Sequence, residues 1–184
     1  RCAQIVPLSG GQRDTTAPKL LEAQPALNST RFNSDKIVLK FDEFVQLKDL
    51  SNQLIVTPRL KTSPELSAEG KKIVIELNKD ELKPNTTYRI YIGKAIADMT
   101  ESNSLENFEY VFSSGDRIDT IQLKGTINDA FTGSSSAGMS IAVYARESFQ
   151  DSLPFLEKPD YFTRSNENGE FLLKNLPEGN FKVY

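Results

Sequence analysis

The chain has no histidine, no tryptophan and one cysteine among its 184 residues. Without histidine there is no Ser-His-Asp or Cys-His pair to activate a nucleophile. Zinc sites built on imidazole or on paired thiolates are excluded for the same reason. The missing tryptophan removes the strongest stacking platform for a sugar or a cation. With a single cysteine no internal disulfide forms, so stability has to come from apolar burial. Basic residues are not in excess either: 22 Lys and Arg face 25 Asp and Glu, a net charge of -3. A phosphate-backbone binder needs a clustered basic surplus, so no nucleic-acid partner is expected. The tightest basic pair, Lys71 and Lys72, borders a strand and reads as a solvated turn. No run approaches the roughly 20 apolar residues that span a bilayer.

What is present is alternation. "KIVLKFD" sets Ile37, Leu39 and Phe41 against Lys36, Lys40 and Asp42. "KIVIEL" aligns Ile73, Ile75 and Leu77; "TYRIYIGK" aligns Tyr88, Ile90 and Ile92, with Arg89 and Tyr91 opposite; "NFEYVFSS" aligns Phe108, Tyr110 and Phe112. Period 2 in segments rich in β-branched and aromatic types predicts half-buried strands. "KLLEAQP" and "QLIVTP" end at prolines and suit edge strands. Asn85 after Pro84 and Gly70 in "AEGKK" supply turn chemistry, and "LKDLSNQL" suggests a short helical turn. The spacing predicts an all-β sandwich.

At "SSGDRIDT" (113–120) the composition turns small and polar, which places a boundary there. A second β series follows in "IQLKGTINDA", "GMSIAVYAR", "YFTRS", "GEFLLKNL" and "NFKVY". The stretch 146–160 has no period and two prolines and reads as a long loop. The pattern runs to Tyr184 within a strand, so the second unit is expected to continue past it. The expected organisation is residues 1–16 as a linker, 17–115 as a first β-sandwich and 116–184 as a second.

The candidate sites are few. Asp42 and Glu43 end a strand and, with Asp98, offer carboxylates for acid–base work or calcium. Neither they nor "DMTESN" and "NENGE" follow the spacing of a calcium loop, and a solvated strand end or turn is the better reading. No catalytic, metal or cofactor-binding residue is assigned, and no small-molecule substrate is expected. Among Tyr88, Tyr91, Tyr110, Tyr144, Tyr161 and Phe162, most fall on core-facing positions. Tyr91 points the other way and would mark a partner surface.

Residues 14–115 resemble the bacterial Ig-like domain of S-layer and other envelope proteins. The resemblance rests on "DTTAPKL", "KIVLKFDEFVQL", "LKPNTTYRIYIG", "IADMTESNSL" and "FEYVFSSG". Ser102 stands where that family has glycine, which implies a looser turn there. The second half resembles the carboxypeptidase-regulatory-like, or transthyretin-like, β-sandwich through Gly125, Asp129, Thr132, Gly133 and Gly138, then Thr163, Gly169, Phe171, Leu176, Gly179 and Phe181. Its glycines are expected at hairpin turns that need positive φ. That family implies a non-catalytic structural or binding module.

The order of cysteine, short tail, Ig-like unit and regulatory-like unit is similar to a group of Bacteroidota envelope lipoproteins whose mature ends read "C-A-x-I-x-P-x-x-G-G-x-x-D". Arg1 departs from that pattern, in which nothing precedes the cysteine. The resemblance implies a covalent lipid on Cys2, an outer-membrane location, and partners among other outer-membrane proteins. The absence of acidic residues in "AQIVP" favours the periplasmic face over the cell surface. Two or three acyl chains, at about 0.8 kcal/mol per buried CH₂, would make such an anchor effectively permanent. The linker would span about 20 Å as a coil and about 50 Å extended. "DTT", "DTI" and "DSL" match the three-residue O-glycosylation signal of Bacteroidota, at Thr15, Thr120 and Ser152. The role expected is a structural or adaptor subunit of a larger envelope complex, with no enzymatic activity. The alternatives are a surface module for glycan or protein ligands, and the non-catalytic front part of a larger enzyme.

Overall fold

The computed structural model describes residues 13–145 and 152–184. Two hydrophobic cores organise them. Cys2 lies outside the described residues.

The first core is enclosed by two antiparallel layers. One is a four-stranded sheet in the order β1 (Leu20–Gln24), β2 (Lys36–Phe41), β6 (Lys72–Glu76), β5 (Glu65–Glu69). The other holds β4 (Ile55–Thr57), β7 (Thr87–Gly93) and β9 (Phe108–Ser113), accompanied by the pair β3 (Val45–Leu47) and β8 (Ile96–Asp98). Because alternate side chains point to opposite faces of a strand, the aligned residues enter the core together. Ile37, Leu39, Phe41, Ile73 and Ile75 meet Ile90, Ile92, Tyr110 and Phe112, all with no exposed surface. Phe112 carries three aromatic neighbours, Phe32, Tyr88 and Tyr110, at centroid separations of 4.0, 5.4 and 6.0 Å. The Tyr110 hydroxyl donates to the Pro25 carbonyl at 2.7 Å, so its polar end is satisfied inside the core.

β1 and β4 lie at sheet edges, as their terminal prolines predict. The expected helical turn is α1 (Leu50–Gln53), and Gly70 turns the β5–β6 hairpin at φ 65°. Asn85 adopts the left-handed conformation at φ 49°.

The second core is smaller. β10 (Ile121–Thr126) pairs with β13 (Glu170–Leu176), and β11 (Ser140–Ala145) lies between β12 (Tyr161–Arg164) and β14 (Phe181–Val183). Among the described residues five side chains are buried in this cluster: Ile141, Val143, Tyr161, Leu173 and Leu176; the first cluster has sixteen. At about 1.5–3 kcal/mol for each fully buried large side chain, the second unit has much less apolar stabilisation of its own. Its contacts with the first unit therefore carry weight.

Two expectations are corrected here. The stretch 146–160 is not loop throughout, because Leu153–Leu156 forms a single helical turn, α2. One turn is too short to produce a 3.6-residue period, which is why the pattern gave no sign of it. Gly133, Gly138 and Gly169 do take φ of 70–74°, but Gly125 is not a turn residue. It lies within β10 opposite Phe171, and a Cβ there would stand 2.7 Å from the Phe171 ring. The glycine makes room for an aromatic ring rather than for a bend.

Candidate functional site: the junction and cleft between the two cores

β7 turns one face to the first core and the other to the second half of the chain. The outward residues are Arg89 and Tyr91. In the antiparallel register Tyr91 faces Glu109 of β9. Arg89 Nε and Nη2 both lie 2.6 Å from Glu109 Oε2. That leaves Oε1 free to take the Lys174 Nζ of β13 at 3.0 Å. Arg89 also sits 4.8 Å above the Tyr91 ring, and the Tyr91 hydroxyl donates to Asn107 Oδ1 at 2.8 Å. Arg89 is 9% exposed, so its charge is held largely away from water and depends on Glu109. Burial pushes the Glu109 carboxyl up, but the charge of Arg89 and the Lys174 hydrogen bond outweigh it and hold the group below the ordinary glutamate range.

The segment joining the units is pinned at Asp119. Asp119 donates its N–H to Thr87 Oγ1 at 2.8 Å, and the Thr87 hydroxyl donates back to Asp119 Oδ2 at 2.9 Å. Asn175, at φ 61° in β13, donates its side-chain amide to the Asp119 carbonyl at 2.9 Å. Arg59 donates its N–H to the Asp160 carbonyl at 2.9 Å. Tyr161 lies under this junction; burial, with Asp160 and Asp119 adding, pushes its phenol well above the ordinary tyrosine range.

Beside the ion pairs runs a cleft of about 960 Å³. The first unit contributes Tyr91, Asn107 and Glu109; the second contributes Lys124, Thr126, Arg164 and Phe171. A concavity of this size between two packed cores is a usual place for a ligand.

The structure separates the other candidates. Asp98 is 1% exposed, and its carboxylate accepts the backbone N–H groups of Thr100, Glu101, Ser102 and Asn103 at 2.6–3.0 Å. Burial pushes Asp98 up, yet these four donors prevail and hold it below the ordinary range. The turn is therefore not loosened by Ser102, which takes φ 70° within this cage. The Asn103 amide donates to the Asp14 carbonyl. Asp42 Oδ1 accepts the Lys19 N–H at 2.8 Å. Glu43 is pushed up by burial first and then by the charges of Asp98, Asp42, Asp14 and Glu101. Among the described residues no three His, Cys, Asp or Glu side chains are grouped to hold a metal ion. Asp129 repeats the Asp98 device, with Oδ1 accepting from Phe131 and Thr132.

Tyr88, Tyr110, Tyr144 and Tyr161 are buried. Tyr91 is half-buried at the cleft rather than a free aromatic. Thr15, Thr120 and Ser152 are exposed. Arg89, Glu109 and Lys174 were not singled out by sequence reasoning as a group. Their one signal was charge on the outward face of strands whose inward face is fully apolar.

The bacterial Ig-like domain family model matches residues 14–114, more than half of the chain, and the chain belongs to that family. The assignment and the antiparallel all-β architecture define a structural or binding module. No curated protein matches the chain.

Proposed function

We propose that the chain is a non-catalytic structural and adaptor subunit of a larger envelope assembly, held at the outer membrane by a lipid on Cys2. The observation that carries this reading is the junction. Arg89, Glu109 and Lys174, with Thr87, Asp119 and Asn175, tie a large core to a small one through side-chain contacts. Such an arrangement suits a spacer that fixes the distance between an anchor and a partner. Phe131 supports docking. It is 99% exposed at the tip of a loop whose conformation Asp129 sets. A rigid, desolvatable aromatic is a common anchor at protein interfaces. Phe155, 90% exposed on α2, is a second.

The test is fractionation with mass analysis in the native host. Metabolic labelling with an alkyne fatty acid should mark the wild-type chain and leave Cys2→Ala unmarked and released from membranes. Gentle pull-down from detergent-solubilised membranes should recover envelope partners, fewer with Phe131→Ala. Intact mass would report glycans at Thr15, Thr120 and Ser152. An unmodified thiol on a water-soluble chain would overturn the anchored reading.

A further inference from the structure

We infer that the cleft between the two cores is a binding site for a carboxylate- or sulfate-bearing oligosaccharide. The charge of the cleft departs from that of the protein. The whole chain is acidic at -3, yet the cleft gathers Arg89, Lys124, Arg164 and Lys174 against Glu109 and Glu170. Arg89 and Lys174 are both committed to Glu109. Lys124 and Arg164 have no carboxylate partner among the described residues, and both are exposed. Arg164 is instead steadied against the Phe162 ring, 5.7 Å from its centroid. Two free cations, one from β10 and one from β12, lining one cleft call for a ligand with more than one anionic group.

The remaining lining says what else the ligand has. Thr126 and Thr163 present hydroxyls with no partner among the described residues, suited to exchange hydrogen bonds with sugar hydroxyls. Phe171 and Leu172 add apolar surface beside them, against which the C–H face of a pyranose packs. The volume of about 960 Å³ holds a ligand of a few rings rather than a single ion. The ion pairs of Arg89, Glu109 and Lys174 hold Tyr91 and Asn107 of the first unit opposite the wall that carries both cations, so the cleft is formed before a ligand arrives. An acidic peptide would use the same cations, but it would leave the free hydroxyls without a matched polyol; it is the competing outcome.

The test uses the full 184-residue chain in calorimetric titrations. The probes are a galacturonate hexamer, a sulfated chondroitin hexasaccharide, maltohexaose and hexaglutamate. One or both acidic saccharides should bind, and maltohexaose should bind at least tenfold more weakly. The double variant Lys124→Ala/Arg164→Ala should lose tenfold or more, while Lys40→Ala, a residue of the exposed β2 face, should bind as the wild type. Raising salt from 50 to 300 mM should weaken wild-type binding several-fold. Thermal melts of each variant show whether it is folded; if the double variant unfolds, Arg164→Gln and Lys124→Gln are titrated singly, and each should weaken binding. Absence of saccharide binding at millimolar concentration would overturn the assignment. So would unchanged affinity in the folded variants, or tighter binding of hexaglutamate than of either acidic saccharide.

Discussion

Lys174 and Glu109, 65 positions apart in the chain, meet at 3.0 Å and join the two cores. The carboxylate is shared with Arg89, which is nearly buried. The two cations are therefore not equivalent. Lys174 is more than a third exposed, so water screens its contribution. Lys174→Ala should cost about 0.5–1 kcal/mol, with faster amide exchange in β13. Glu109→Ala leaves Arg89 without its anion and should cost about 2–3 kcal/mol, a buried-pair penalty reduced for the partial exposure of Glu109. Chemical denaturation compares them; equal losses would refute the asymmetry.

The same carboxyl gives the protein an acid limit. Its folded pKa lies below the ordinary glutamate value. A depressed carboxyl contributes stability that is fully present above the unfolded pKa and is lost as pH falls through the folded one. Glu109 should contribute nothing to the slope between pH 7 and about pH 5, and an increasing loss below that. Melting temperatures across this range should fall less steeply for Glu109→Gln than for the wild type. Parallel profiles would show that Glu109 is not responsible.

Asp98 should be the least replaceable residue of its loop. Its carboxylate satisfies four backbone donors, and alanine leaves all of them without that acceptor. Asp98→Ala should lower the Tm more than Asp98→Asn, whose amide oxygen retains part of the cage. With the Asp98 carboxylate already occupied by four backbone donors, excess chelator should leave the Tm unchanged. A Tm that falls with chelator would show that a metal is part of this turn.

Gly125 and Phe171 form a pair in which one residue supplies space for the other. Gly125→Ala sets a methyl 2.7 Å from the Phe171 ring and should cost about 1–3 kcal/mol through overpacking. Phe171→Leu in the same chain should recover part of that loss in a double-mutant cycle. Additive effects would mean that the ring moves freely aside.

Strand faces were legible because burial repeats every second residue. Ile37, Leu39 and Phe41 could hardly be placed on any face but the inner one. Gly70 and Asn85 were legible because a positive φ selects few residue types. Gly125 was not, since a glycine that avoids a cross-strand ring looks the same in sequence as one that turns the chain. Ser102 was misjudged for the opposite reason. Four hydrogen bonds to Asp98 hold it at a φ that its side chain disfavours, and nothing in the residue itself announces them. The junction was invisible because its partners are far apart: 65 positions for Glu109 and Lys174, 56 for Asp119 and Asn175. Outward charges on a strand are ordinary, and only the folded register shows that these three converge.

Thr87 belongs at once to a strand of the larger core and, through Asp119, to the lead-in of the smaller one. A twist applied to the far end of the molecule would reach the sheet of the larger core as torque through these two hydrogen bonds. Mechanical load on the protein would be borne first by β7.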